Sequence, residues 1–146
     1  MNSIYQLAVV IGCSAVAASG SWLLKETPER IEFRCDSSLL KEDEICLGDV
    51  PEDVLWIDAR SRKEWQENGL PGSILWNMDP SEDAMAMESE AAMAIINASS
   101  VVVYCKSEAC GTSRQIANKA KALEMGPEIK VLFGGWDALR DSNPAK

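Results

Sequence analysis

The chain contains no histidine. That absence excludes every Cys–His couple, so a reactive cysteine here must draw its activation from backbone amides and nearby cations. Five cysteines are present, but there is no Cys-x-x-Cys pair and no zinc-type spacing. Without imidazole a metal site would need an unusual ligand set, so neither a metal nor a cofactor is expected. Basic excess is also lacking. The net charge of −9 argues against a nucleic-acid partner and against adhesion to an anionic bilayer surface. No repeat or low-complexity tract breaks the 146 residues, a length that accommodates one domain plus an appendage.

Charge is missing altogether from residues 2–24, and Ile4 to Leu24 is mostly apolar. About 20 such residues span a hydrocarbon core as a helix. Residues 3–24 are therefore read as a single-pass transmembrane anchor. A cleaved signal peptide fits less well, because no Lys or Arg precedes the apolar run, and a lipoprotein signal ending at Cys13 shares that defect. Lys25, Arg30, Arg34 and Lys41 all follow the run, and the positive-inside tendency then leans toward a cytoplasmic globular domain. Residues 25–44 read as a polar connecting segment and 45–146 as the domain. Cys35 and Cys46 would bridge in an oxidising compartment and stay reduced in cytosol.

Within the domain, Asp53–Asp58 reads as a buried strand, and Ser61-Arg62-Lys63-Glu64 is a capping box that opens a helix carrying Trp65. Leu70-Pro71-Gly72 is a turn and Ser73–Trp76 a further short strand. Asp79-Pro80-Ser81-Glu82 predicts a second helix start, followed by an apolar stripe of Met85, Ala92, Ile95 and Ile96. Asn97-Ala98-Ser99 matches a glycosylation sequon and reads as plain loop. A third helix is expected to end near Met125, ahead of Gly126 and Pro127. Ile129–Phe133 is a last strand, Gly134-Gly135 a tight turn that permits close backbone approach to a site, and Trp136 the start of a short terminal helix.

The chemistry concentrates in residues 101–117. Val101–Tyr104 suits a buried strand, and Thr112 or Ser113 can cap a helix that buries Ile116, Ala120 and Leu123. Between them lies a polar loop that opens with Cys105 and nearly ends with Cys110. A thiol between a strand end and a helix start faces orphan N–H groups that favour thiolate. Lys106 and Arg114 add positive charge, and Glu108 opposes them. Position alone leaves a buried, inert strand-ending cysteine as an equal reading.

Three separated motifs resolve that choice. Asp58-Ala59-Arg60 with Glu64, Leu70-Pro71-Gly72-Ser73, and Gly134-Gly135-Trp136, taken with the Cys105 loop, resemble the rhodanese (sulfurtransferase) family over roughly residues 45–141. The resemblance implies an α/β domain with a central parallel sheet flanked by helices, here preceded by one transmembrane helix. It implies that Cys105 is the catalytic cysteine and carries a persulfide. Lys106, Ser107, Glu108, Ala109, Cys110, Gly111 and Arg114 then form the substrate-binding loop, and Asp58, Arg60, Gly134 and Gly135 its structural support. The implied reaction moves sulfane sulfur from thiosulfate or a persulfide donor to a thiol-type acceptor, so the partners are small sulfur compounds. This loop is about two residues longer than the family's usual one, and Asn68-Gly69-Leu70-Pro71-Gly72 lacks the family's histidine. A Cys-x5-Arg phosphatase is excluded, since the arginine position falls on Gly111 from Cys105 and on Ile116 from Cys110. Two alternatives stay open. Cys110 would serve as a resolving thiol in a thiol–disulfide protein, or the domain would be a membrane-tethered docking module.

Overall fold

In the computed structural model, residues 35–107 and 111–142 are described. Five short strands, β1 (Glu44–Ile45), β2 (Leu55–Asp58), β3 (Ile74–Leu75), β4 (Ser100–Tyr104) and β5 (Glu128–Leu132), form one sheet in the order β1-β5-β4-β2-β3. Every pairing is parallel. The helices are α1 (Arg62–Asn68), α2 (Ala84–Ile95), α3 (Gly111–Ala122) and α4 (Gly135–Ser142). This is the α/β architecture with a central parallel sheet that the motifs imply. The transmembrane helix expected over residues 3–24 lies outside the described residues. Among the described residues no helix is long and apolar enough to cross a membrane.

The inner strands β2, β4 and β5 carry apolar side chains on both faces, as a sheet covered on both sides requires. Val101, Val103 and Cys105 point into one core with Ile57, Met87, Ala91, Ile95, Ile116, Ala117 and Ala120. Val102 and Tyr104 point into the other, with Leu132 and Leu139, against which Ile45, Leu47, Trp56 and Trp136 pack. The two-residue period of a strand thus sends Tyr104 and Cys105 to opposite faces. Val101, Val103, Ile57 and Ile116 are fully buried, each contributing about 1.5–3 kcal/mol by leaving water.

Local signals set most element ends. The Ser61–Glu64 capping box forms, with Glu64 N donating to Ser61 Oγ and Ser61 N to Glu64 Oε2. The Gly126–Pro127 stop is preceded by Glu124 in the left-handed region at φ 51°, and α3 ends at Ala122.

Three expectations shift. Helix α2 starts at Ala84, not at the Asp79–Glu82 run, because Asp79 accepts from Ser81 N and Oγ at 2.9 and 2.7 Å in a local turn that competes with helix. Asp83 is the cap instead, accepting from Ala86 N at 3.0 Å. The buried face of α2 is Met87, Ala91 and Ile95, while Met85 and Ile96 are exposed. Apolar residues lie on nearly every side of this helix, so the pattern leaves the face open and contact with the sheet selects it. Helix α3 is already helical at Gly111, which places both cap candidates, Thr112 and Ser113, inside the first turn, with Ser113 buried.

The described residues belong to one compact unit. Residues 35–43, read from sequence as connecting segment, are tied into it by a Cys35–Cys46 disulfide with a Cα–Cα distance of 5.7 Å. That separation lies inside the ordinary disulfide range.

Candidate functional site

In the strand order β1-β5-β4-β2-β3, successive connections run one way from β2 and the other way from β4. Loops leaving the carboxyl ends of β2 and β4 therefore diverge, and such a divergence opens the crevice where parallel sheets bind ligands. Ala59–Ser61 follow β2, and Cys105–Ser107 follow β4.

Cys105 is 1 % exposed. Its Sγ lies 3.5 Å from the Ser107 carbonyl oxygen, and its own carbonyl oxygen accepts a hydrogen bond from Trp136 N at 2.6 Å. Cys105 is disulfide-bonded. Cys35 and Cys46 bond each other, while Cys13 and Cys110 lie outside the described residues.

The Gly134–Gly135 turn backs this segment. Gly135 sits at φ 57°, and a Cβ there would collide with the Cys105 carbonyl oxygen and lie 3.2 Å from Ser107 N. Only a residue without a side chain lets the two backbones approach this closely.

Beneath the segment lies a buried polar bracket. Asp58 and Tyr104 are register partners on neighbouring strands, and Tyr104 Oη donates to Asp58 Oδ2 at 2.7 Å. Arg60 donates from Nη2 to Asp58 Oδ2 at 2.7 Å and from Nε to Oδ1 at 3.0 Å. A third bond runs from Arg60 Nη1 to Asn68 Oδ1 at 2.9 Å. The guanidinium lies 4.0 Å from the centre of the Trp136 ring and 5.5 Å from that of Tyr104. Burial, helped by the Asp58 charge, pushes the Tyr104 phenol up to about 12. For Arg60, burial acts to lower the pKa, but the bonds and charge of Asp58 prevail and hold it above its ordinary value.

The predicted loop residues are distributed unevenly. Lys106 is exposed, Ser107 half-buried, and Gly111 exposed at the start of α3. Glu108, Ala109 and Cys110 lie outside the described residues. Arg114 turns to the sheet edge, where Nη1 meets Asp43 Oδ1 at 2.5 Å and Nη2 meets Glu44. Burial raises and the Arg114 contact lowers the Asp43 pKa, with the net direction downward. An open cleft of about 580 Å³ is lined by Lys41, Glu42, Asp43, Lys121, Glu128, Ile129 and Lys130. It lies beside the start of β5, away from Cys105.

Sequence reasoning missed Tyr104, Trp136, Asn68, Asp43 and Glu44 as supports. One signal was available for Tyr104: a buried phenol needs a partner, and Asp58 ends the neighbouring run at the same height.

Residues 47–142 match the rhodanese-like domain. The chain belongs to the rhodanese-like domain family. No curated protein matches it at a significant level. Among solved structures, the N-terminal domain of a protein described as ATP/GTP-binding, from Clostridium difficile 630, aligns with a TM-score of 0.52 at 19% identity. The alignment covers 69% of this chain and 98% of that one. A protein described as a possible tyrosine phosphatase, from Rhodopseudomonas palustris CGA009, aligns with a TM-score of 0.42 at 23% identity, over 65% of this chain and 72% of that one. At 19% identity the Clostridium difficile likeness speaks for the fold alone.

Proposed function

We propose that the domain is a sulfurtransferase that works through a Cys105 persulfide. The observation that carries this reading is the placement of Cys105. It directly follows the central strand β4 of a rhodanese-like fold, its carbonyl is clamped by Trp136, and its loop runs into the start of α3. A helix start offers partial positive charge to a thiolate and to the terminal sulfur of a persulfide.

Because Cys105 rests in a disulfide, the cycle begins when an external thiol opens that bond and releases the thiolate. The thiolate attacks the outer sulfur of a donor. With thiosulfate, the new S–S bond forms as the bond to sulfite breaks, and sulfite leaves with its electron pair. An acceptor thiolate then attacks the outer sulfur of the persulfide, takes it, and restores the Cys105 thiolate. Loop amides from Lys106 to Gly111 would supply the anion stabilisation, where one preorganised donor is worth about 2.7–4 kcal/mol.

The resting disulfide also favours a second reading, a thiol–disulfide redox protein in which Cys110 resolves the Cys105 persulfide and releases sulfide. Mass spectrometry of the reduced chain after thiosulfate treatment separates the two. Addition of one sulfur on Cys105, lost in Cys105→Ser and kept in Cys110→Ser, supports the transferase. A loss of two hydrogens supports the redox protein, and no change sinks both.

Residues 3–24 would tether the domain to a membrane. The Cys35–Cys46 disulfide supports an oxidising compartment, against the cytoplasmic lean of the basic residues. Alkylation in intact cells checks this: Cys35 and Cys46 recovered as free thiols would return the domain to the cytosol.

A further inference from the structure

Segment 43–46 touches both structures that flank Cys105. On one side, Ile45 O accepts from Phe133 N at 3.0 Å, and Val131 N donates to Asp43 O at 2.7 Å. Phe133 leads directly into the Gly134–Gly135 turn that backs Cys105, and Trp136 N holds the Cys105 carbonyl. On the other side, Asp43 and Glu44 grip Arg114 in the first turn of α3, immediately beyond the loop.

Within this segment β1 itself, Glu44–Ile45, is only two residues long and lies at the sheet edge. So short a strand has little stability of its own. Directly after it comes Cys46, 6 % exposed and bonded to Cys35. The disulfide restricts the freedom of the chain on both sides of β1.

We propose that the Cys35–Cys46 disulfide is a redox-sensitive brace for the Cys105 loop. Oxidised, it keeps β1 docked, and β1 in turn positions α3 through Arg114 and the glycine turn through Phe133. Two equivalents of an external thiol reduce it to two cysteine thiols and release the reductant as its own disulfide. The edge strand then loosens, and the head of α3 and the glycine turn on either side of Cys105 lose their fixed placement. This deepens the sulfurtransferase reading and rests on it for its meaning, yet the device acts on the Cys105 thiol itself and is measurable without any sulfur donor. Asp43, Glu44 and Arg114 are positioning residues in this scheme, since they bond one another at the sheet edge.

The test uses the full-length chain in detergent with Cys13→Ser and Cys110→Ser, which leaves Cys105 without a cysteine partner. Iodoacetamide alkylation of Cys105 is followed by peptide mass spectrometry across a pH series, with the Cys35–Cys46 pair oxidised and then reduced. The expected result is slower alkylation in the reduced form, with the midpoint of the pH profile moved upward. Each unit of that move costs about tenfold in thiolate at a pH below the midpoint. Across a thiol–disulfide redox buffer, the Cys105 rate should follow the oxidised fraction of the pair. Asp43→Asn with Glu44→Gln should slow Cys105 in the same way with the disulfide intact. This variant decides the matter if the reduced chain unfolds. Identical rates and profiles in both redox forms overturn the proposal, as does an unchanged rate in the ion-pair variant where reduction unfolds the chain. Thiosulfate loading is scored separately on the same protein. If Cys105 takes up no sulfur but its alkylation still tracks the disulfide, the sulfurtransferase reading falls and the brace stands.

Discussion

Arg60 and Arg114 make the same kind of bond in different surroundings. Arg60 is 4 % exposed and meets Asp58, which is fully buried. The Arg114 side chain is 34 % exposed and meets Asp43 and Glu44 at the sheet edge. Both hold a segment that borders Cys105, Arg60 through the end of β2 and Trp136, Arg114 through the head of α3. The difference lies in what water does when the bond breaks. At Arg114 water enters and solvates the separated charges, so the pair is worth little in stability. At Arg60 no water reaches the charge left behind, so loss of one partner strands the other. The inner pair is a fixed part of the fold, and the outer pair is suited to being made and unmade.

The sharpest test of that contrast is Asp58→Ala, which leaves Arg60 buried without its counter-charge and Tyr104 without its acceptor. It should cost about 3–5 kcal/mol, read as a large fall in the midpoint of chemical denaturation. A loss below that of the outer-pair variants would remove the distinction between the two sites.

Removing the edge disulfide with Cys35→Ser and Cys46→Ser should cost about 2–4 kcal/mol. The same measurement checks it, and the fold should survive because the core around Ile57, Val101 and Val103 includes nothing from the bridged segment.

Tyr104→Phe keeps the ring and deletes the hydroxyl that donates to Asp58 and accepts from Leu70 N. The expected cost is about 1–3 kcal/mol. It also has a pH signature. The phenol is raised from 10.0 to about 12, so the folded state holds that proton more tightly than the unfolded chain does. Its contribution is complete below pH 10 and is lost as pH rises toward 12. Absorbance titration of the two tyrosines should show one late step, absent from Tyr104→Phe together with part of the alkaline destabilisation.

Gly135→Ala forces a side chain into the left-handed region, which costs about 1–2 kcal/mol, and drives it against the Cys105 carbonyl. Its diagnostic effect is on Cys105 alkylation, which should change more than stability does.

The smallest stability effect is expected at the outer pair, where Asp43→Asn should cost only about 0.2–1 kcal/mol. The depressed Asp43 pKa gives the sign: that contribution is present above the unfolded value and fades as pH falls through the folded one. A cost as large as that of Asp58→Ala would show that exposure does not separate the two arginines.

The local signals in the sequence determined where most elements lie. The Ser61–Glu64 capping box, the β-branched run ending at Tyr104, the Gly126–Pro127 stop and the paired glycines all act within a few residues, so a linear reading captures them. The family motifs carried the sheet type and drew attention to Cys105. Only the tertiary structure decided which face of α2 is buried, because Met85 and Met87 are equally apolar and contact with the sheet is what tells them apart. It also decided the partner of Arg114. A guanidinium in a loop-proximal turn reads as a substrate cation until β1, about 70 residues earlier in the chain, brings two carboxylates beside it. The same holds for Cys35 and Cys46, whose pairing depends on distance and not on spacing. What lies near in sequence is set by backbone geometry and capping, whereas charge partners, buried faces and cross-links are set by which distant surfaces the fold brings into contact.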